Sequence, residues 1–187
     1  MLRFLKSWQR KIRTPNLAEI RLLVLDVDGV LTDGGLWLDQ NGRLQKRFDV
    51  RDGLGIHLLQ DKGITIAFLS GGEGGATEAR AIQLGVKNCL VGIKDKLIAL
   101  KNLQKTLGFT REQTAFIGDD LNDLAVRSLV SLFITPKDAC YEVKRCADWV
   151  LSNRGGHGAV REAAEGLLKS QKRWKTISSE GWRGRND

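Results

Sequence analysis

Cysteines and long hydrophobic segments are scarce in this chain of 187 residues, and each scarcity excludes a class of protein. The three cysteines, Cys89, Cys140 and Cys146, are odd in number and lack C-x-x-C spacing, so we expect reduced thiols in a cytoplasmic protein. No apolar stretch approaches the roughly 20 residues that a membrane-spanning helix needs. Internal repeats and low-complexity segments are also missing, which together with the length favours one globular domain.

The excess of positive charge, a formal +8, lies mostly at the two ends of the chain. Residues 1–13 contain five basic residues and no acid, and apolar residues at positions 1, 4, 5, 8 and 12 give this segment a helical, amphipathic pattern. Three interpretations are open for the segment: contact with an acidic membrane surface, packing on a neighbouring subunit, or a solvated tail. Its charges interrupt any apolar core, so a secretory signal is not expected.

We divide the chain into a basic N-terminal extension (1–19), a central domain (20–168) and a basic C-terminal tail (169–187). The tail carries Trp174 and Trp182 among basic residues, a combination that also occurs in nucleic-acid-binding proteins. No basic-aromatic fold motif accompanies them, and we therefore expect no nucleic-acid partner.

Residues 22–34, LLVLDVDGVLTDG, combine an apolar run with two aspartates set one residue apart. Leu22 to Leu25 are typical of a strand buried on both faces of a parallel sheet, and its carboxyl end is the edge where open α/β sheets bind ligands. Asp26 and Asp28 share one face of an extended segment, so both carboxylates can point at one spot. Such a pair persists mainly beside a hard cation or a shared proton. The alternative is a strand followed by an ordinary Asp-Gly turn.

Two further apolar runs end on polar residues. Residues 64–71, ITIAFLSG, end on Ser70 and a glycine-rich loop, and residues 114–117 precede Gly118 and three acids. These acids are Asp119, Asp120 and Asp123. Lys96 lies between the two runs, near the start of a helical pattern. The three predicted strands thus end on an acid, a hydroxyl group and further acids, and one lysine accompanies them. This combination predicts a site for a phosphoryl group and a divalent metal.

The alternation of apolar runs and helical patterns predicts an α/β fold with a doubly wound parallel sheet. The predicted strands lie near 21–26, 64–69, 89–92, 114–117, 130–134 and 148–151. The predicted helices cover 53–62, 73–84, 95–107, 121–128, 138–146 and 158–170.

These residues resemble the motifs of the haloacid dehalogenase superfamily of phosphohydrolases. The matching motifs are DVDGVLTDG, Ser70, Lys96 and GDDLND. More narrowly, residues from about 20 to 165 resemble the family of 3-deoxy-D-manno-octulosonate 8-phosphate phosphatases. The further matches are RFDVRDGLGIHLL (47–59), RAIQLGV (80–86), GIKDKL (92–97) and GGHGAVRE (155–162). The resemblance implies the Rossmann-like haloacid dehalogenase fold and a cytoplasmic, Mg²⁺-dependent enzyme of lipopolysaccharide biosynthesis.

The resemblance, together with the chemistry of phosphate-monoester hydrolysis, assigns roles to the acids. Asp26 is expected to be the nucleophile that forms an aspartyl-phosphate, and Asp28 the general acid and then the general base. Mg²⁺ is expected to bind Asp26, Asp119 and the main-chain carbonyl of Asp28. Asp120 and Asp123 are expected to orient the lysine and the metal-bound waters, although Asp123 is equally typical of an acid in the first turn of a helix.

The phosphate itself is expected to contact three groups. The Ser70 hydroxyl and the Gly71 amide would donate hydrogen bonds to phosphate oxygens, and Lys96 would supply a fixed positive charge.

The motif spacing leaves no room for a separate lid domain. About 40 residues separate Asp28 from Ser70, and Lys96 follows Ser70 by only 26 positions. Residues 34–50 form two alternating runs around Asn41-Gly42, a strong hairpin signal. A lone hairpin cannot bury its own apolar residues, and the resemblance implies a homotetramer in which neighbouring subunits close the active site. The alternative is a hairpin folded back onto its own domain.

The residues that would select the substrate are less clearly marked. Arg51 and Asp52 are candidates, with salt-bridged turn residues as the alternative, and Arg161 lies in the segment that borders the active site of the resembled family. Gly72 occupies a position that is typically arginine in octulosonate phosphatases, where it suits a sugar carboxylate. In the related nonulosonate 9-phosphate phosphatases that position is typically glutamate, with lysine at the position of Gln83. This chain matches neither pattern.

Three functions therefore stay under consideration. The first is a phosphatase for an eight-carbon 3-deoxy sugar acid phosphate. The second is a phosphatase of the same class for a nonulosonate 9-phosphate or another small phosphate monoester. The third is a non-catalytic oligomeric protein that binds a partner, against which the intact acids, serine and lysine argue.

Overall fold

Six parallel strands form the central sheet of the computed structural model, which describes residues 16–183. In chain order the strands are β1 (Leu22–Leu25), β2 (Trp37–Leu38), β3 (Leu44–Gln45), β4 (Thr65–Leu69), β5 (Asn88–Leu90), β6 (Thr114–Ile117), β7 (Leu132–Thr135) and β8 (Trp149–Val150). The sheet has the order β5-β4-β1-β6-β7-β8, so β1 lies between β4 and β6. The predicted parallel sheet is confirmed, with every predicted strand present.

Helices cover both faces of this sheet. They are α1 (Val50–Asp61), α2 (Ala76–Gln83), α3 (Lys96–Leu107), α4 (Tyr141–Cys146), α5 (Ala159–Ser170) and α6 (Trp174–Glu180), with 3-10 helices at Leu17–Glu19 and Leu121–Leu129. Side chains of β1 alternate between the faces: Leu23 and Leu25 pack in one apolar cluster with α1 and α5, and Leu22 and Val24 in another with α3. The doubly wound α/β fold is therefore confirmed.

One predicted helix has a different geometry. Leu121–Leu129 is a 3-10 helix, although its spacing predicts an α-helix. Asp120 caps its first residue, and Asp123 accepts hydrogen bonds from the backbone N–H groups of Asp119 and Asp120. These local bonds hold the start of the segment in a tight turn.

The hairpin is confirmed as a separate two-stranded unit. In β2 and β3, Trp37 pairs with Gln45 and Leu38 pairs with Leu44 in antiparallel register. Gly42 has a φ of 73°, a left-handed conformation that suits glycine in the turn. Leu36, Trp37 and Leu38 are 65 %, 64 % and 69 % exposed, so the domain to which the hairpin belongs does not bury them.

The C-terminal stretch packs on the domain up to Trp182. Trp174, Ile177 and Trp182 contact the apolar cluster that includes α1 and α5. The Trp182 ring also stacks on His57, with ring centroids 5.8 Å apart. No helix within residues 16–183 is long and apolar enough to cross a membrane. The amphipathic segment predicted at residues 1–13 and the last four residues of the tail lie outside the described residues.

Candidate active site

The carboxyl ends of three neighbouring strands meet at one cleft of about 510 Å³. Asp26 follows β1, Ser70 follows β4, and Gly118 and Asp119 follow β6. The residues that line the cleft are Asp26, Asp28, Gly29, Gly34, Gly71, Gly72, Asp119, Asp120, Leu121 and Asn122. This position is the usual ligand site of an open α/β sheet.

Three carboxylates form what we call the acidic cluster, Asp26, Asp119 and Asp123. One oxygen from each lies within 4.8 Å of the others. Lys96 at the start of α3 is paired with two of them, since its Nζ lies 2.9 Å from Asp26 Oδ2 and 2.6 Å from Asp123 Oδ1. Burial opposes the charge on Lys96, but its two acidic neighbours outweigh that effect and hold its pKa above the ordinary value.

The remaining negative charge of the acidic cluster is poorly compensated. Burial, reinforced by the charge of Asp123, raises the pKa of Asp26 to about 7, against the opposing effect of Lys96. Burial and then the charges of Asp26 and Asp123 raise the pKa of Asp119 to about 7 as well. Carboxylates that share a buried site in this way bind either protons or a hard cation.

Gly29 makes room for Asp119. Its φ is 82°, and a Cβ built on it would lie 2.5 Å from the carboxyl carbon of Asp119 and closer still to one of its oxygens. A glycine is therefore required here both by the backbone conformation and by the neighbouring carboxylate.

Asp123 organises the loop after β6 from a buried position. Its Oδ2 accepts hydrogen bonds from the N–H groups of Asp119, at 2.9 Å, and Asp120, at 3.3 Å, while Oδ1 contacts Lys96. The side chain of Asp120 caps the N–H of Leu121 at 2.7 Å. Both acids therefore fix the surroundings of Asp26 and Asp119, and Asp123 does more than a first-turn acid of a helix.

The loop after β4 brings its small residues to the cleft. Ser70 is fully buried, its N–H donates to the carbonyl of Leu90 at 2.9 Å, and its Oγ accepts from the N–H of Gly72 at 3.2 Å. Gly71 and Gly72 line the cleft beside it. No side chain extends from position 72, and a Cβ there would lie 3.1 Å from Asp28 Oδ2.

Lys46 contacts Asp28, and the sequence reasoning did not select it. Its Nζ lies 2.8 Å from both carboxylate oxygens of Asp28 and donates to Thr77 Oγ1 at 3.2 Å. The sequence does contain an indication of this role. Leu44, Lys46 and Phe48 occupy alternate positions of an extended segment, so the lysine shares a face with two apolar residues that are expected to be buried.

Arg51, Asp52 and Arg161 are placed around the start of α5. Asp52 accepts hydrogen bonds from the N–H groups of Gly158, at 3.1 Å, and Arg161, at 2.9 Å, and burial raises its pKa to about 6. Arg51 pairs with Asp49 at 2.7 Å, and the Arg161 guanidinium pairs with a glutamate of its own helix at 3.0 Å. The structure therefore brings the predicted acids, serine, glycines and lysine together, and places these three residues away from the lining of the cleft.

The fold and this set of side chains define a phosphohydrolase of the haloacid dehalogenase class. The family profile of haloacid dehalogenase-like hydrolases matches residues 92–162. The 3-deoxy-D-manno-octulosonate 8-phosphate phosphatase of Haemophilus influenzae is 44% identical over 155 residues, which cover 83% of this chain and 86% of the relative. The Escherichia coli K12 enzyme is 41% identical over 152 residues, 81% of each chain.

Solved structures agree with these relatives. The Moraxella catarrhalis 3-deoxy-D-manno-octulosonate 8-phosphate phosphatase, in complex with a magnesium ion, a phosphate ion and a KDO molecule, superposes with a TM-score of 0.86 at 36% identity, covering 89% of this chain and 96% of the other. The cobalt-bound Haemophilus influenzae enzyme gives 0.84 at 42% identity, covering 87% and 95%. The chain belongs to the family of 3-deoxy-D-manno-octulosonate 8-phosphate phosphatases.

Proposed function

We propose that this chain is a Mg²⁺-dependent phosphatase that converts 3-deoxy-D-manno-octulosonate 8-phosphate to 3-deoxy-D-manno-octulosonate and phosphate. The observation that carries the proposal is the buried acidic cluster around Lys96, with Asp28 and the Ser70 loop on the same cleft. The proposed substrate is that of the related 3-deoxy-D-manno-octulosonate 8-phosphate phosphatases.

The acidic cluster fits a divalent cation. Asp26 and Asp119 repel each other and bind protons near neutral pH, and Gly29 leaves space for the Asp119 carboxylate. Hard oxygen ligands of this kind suit Mg²⁺, which Asp26, Asp119 and the main-chain carbonyl of Asp28 would hold. Bound there, Mg²⁺ would offset the repulsion between Asp26 and a phosphate dianion and stabilise charge in the transition state.

The protein residues divide the reaction into two steps. With the phosphate held by the Ser70 hydroxyl, the Gly71 amide and Lys96, a carboxylate oxygen of Asp26 attacks phosphorus. The bond to the sugar oxygen breaks, and that oxygen takes a proton from Asp28. Water then transfers a proton to Asp28 as it attacks phosphorus, which releases phosphate and restores the Asp26 carboxylate.

A second candidate is a phosphatase of the same class for a nonulosonate 9-phosphate or another small phosphate monoester. Gly72 keeps this candidate under consideration, because position 72 at the edge of the cleft carries neither the arginine typical of octulosonate phosphatases nor the glutamate typical of nonulosonate phosphatases. Gln83 accepts a hydrogen bond from Arg80 at 2.8 Å and replaces the lysine of the nonulosonate enzymes. The residues that line the cleft therefore support phosphatase chemistry but do not distinguish an octulosonate from a nonulosonate substrate.

Self-association is part of the proposal. Leu36, Trp37 and Leu38 are three consecutive exposed apolar residues on the hairpin, which favours burial against other subunits, and we expect a homotetramer. The three cysteines are free, as expected of a cytoplasmic enzyme. Contact of residues 1–13 with a membrane surface stays a prediction.

Phosphate release from a panel of sugar phosphates tests the proposed function. The panel contains 3-deoxy-D-manno-octulosonate 8-phosphate and nonulosonate 9-phosphates, each with Mg²⁺ and with a chelator. Asp26→Asn should abolish turnover, while Glu142→Gln, which changes an exposed carboxylate on α4, should leave it unchanged. Faster turnover of another sugar would favour the second candidate. No turnover of any phosphate by the folded protein would leave only the non-catalytic binding function.

A further inference from the structure

Lys46 joins three segments of the chain at one buried ammonium group. It follows β3 directly, its side chain is 1% exposed, and Nζ contacts Asp28 in the loop after β1 and Thr77 in the first turn of α2. Lysine is rarely buried unless it is paired, so the contact with Asp28 is a defined structural feature.

The Asp28 carboxylate depends on this contact for its orientation. Within residues 16–183, Lys46 is the one group that the structure shows bound to the Asp28 side chain. Asp28 Oδ1 is buried and accepts no hydrogen bond within residues 16–183. Its negative charge is therefore compensated by the charge of the Lys46 ammonium, 2.8 Å away. Asp26, in contrast, is held by both the N–H of Val27 and Lys96.

The same contact places Asp28 at the cleft. The Asp28 side chain is 34% exposed and lines the cleft, whereas Lys46 lies behind it. A Cβ at position 72 would lie 3.1 Å from Asp28 Oδ2 and 3.5 Å from Lys46 Nζ, so the pair is packed against the Ser70–Gly72 loop. The carboxylate is therefore fixed between the ammonium on one side and the phosphate-binding loop on the other.

We infer that Lys46 is a positioning residue for Asp28, which it holds in reach of the leaving oxygen. The inference rests on the proposed phosphatase function. An ammonium has three N–H donors, so Lys46 can bond the unprotonated oxygen of Asp28 both before and after the proton moves to the sugar oxygen. Because Lys46 belongs to the hairpin, a shift of the hairpin would also move Asp28.

The leaving group of the substrate distinguishes positioning from a general structural role. The oxygen of the sugar needs a proton from Asp28 to depart, whereas p-nitrophenol is acidic enough for its anion to leave without one. The constant kcat/KM reports the steps up to this departure. For Lys46→Met we expect kcat/KM for 3-deoxy-D-manno-octulosonate 8-phosphate to fall about 10²-fold, and that for p-nitrophenyl phosphate to stay within about threefold. Lys105→Met, which changes an exposed lysine of α3, should alter neither constant.

Equal losses on the two substrates, or no loss on either, would overturn the inference. In an Asp28→Asn background, Lys46→Met should change kcat/KM for the sugar phosphate by less than about threefold, and a further large loss would also overturn it. If Lys46→Met does not fold, Thr77→Val removes the second partner of Nζ and should cause a smaller loss with the same preference for the sugar phosphate. A wild-type protein that hydrolyses neither substrate would refute the proposed function itself.

Discussion

Gly29 is the position at which one added methyl group tests the acidic cluster most directly. Two effects of Gly29→Ala follow from the structure. The φ of 82° places alanine in the left-handed region, which lowers the free energy of unfolding by about 1–2 kcal/mol. The new Cβ would also lie 2.5 Å from the carboxyl carbon of Asp119, where ordinary contacts begin near 3.4 Å.

The Asp119 carboxylate must therefore move by about 1 Å, and displacements of that size in an active site lower activity about 10²-fold. Phosphate release at saturating Mg²⁺ gives the activity, and thermal unfolding gives the stability. We expect a loss of kcat/KM of at least that size, together with weaker binding of Mg²⁺.

Gly63→Ala is the matched control. Gly63 has a φ of 77°, nearly that of Gly29, but a Cβ there meets no atom within 4 Å. It should lower the free energy of unfolding by the same 1–2 kcal/mol or so and leave the activity unchanged. Gly29→Ala with activity within about threefold of Gly63→Ala would refute the assignment of Asp119 to the cation site.

Three further predictions concern protons and assembly. The pKa of Asp52 is raised to about 6, so the wild type should lose about 3 kcal/mol of stability relative to Asp52→Asn as pH rises from about 4 to about 7; equal pH dependence in denaturant titrations of both would contradict this. Mg²⁺ must displace protons from Asp26 and Asp119, so calorimetric titration should show its affinity falling ever more steeply below about pH 7, towards about a hundredfold per pH unit for two displaced protons, whereas a flat profile would argue against this site. Trp37→Ser should shift the sedimentation coefficient towards smaller species, unlike Ile82→Ser, which removes an even more exposed apolar residue of α2; an unchanged assembly would exclude the hairpin as the interface.

The sheet and most of the acidic site are predictable from the sequence for a simple reason. Parallel strands buried on both faces appear as continuous apolar runs, and their carboxyl ends all lie on one edge. Any polar residue that directly follows such a run is therefore close in space to its counterparts on neighbouring strands. Asp26, Ser70 and Asp119 follow three such runs, and the structure brings all three to one cleft region.

The surroundings of Asp52 are not predictable in this way. Its partners are backbone N–H groups of Gly158 and Arg161, more than 100 positions further along the chain. Every residue except proline has a backbone N–H group, so the sequence does not show which of them an acid will bind. From the sequence alone, a carboxylate that is buried against the start of a helix therefore cannot be told from a functional acid. The α6 helix is not predictable from the sequence either. Its seven residues are too few for a helical pattern, and contacts with the core hold it in place.

The acidic cluster shows how the fold tolerates charge that it cannot neutralise. Three carboxylates lie together, and one ammonium contacts Asp26 and Asp123. The backbone N–H groups that reach the cluster bond mainly the same two acids. Asp119 accepts none of these bonds, and the excess charge appears as raised pKa values at the two acids that face the cleft. A cation bound there would replace protons with a stronger partner and would stabilise the folded state by RT ln(1 + [Mg²⁺]/Kd), about 2.7 kcal/mol at a hundredfold excess over Kd. The same uncompensated charge that destabilises the metal-free protein is thus the source of its affinity for metal, so stability and catalysis should depend on Mg²⁺ together.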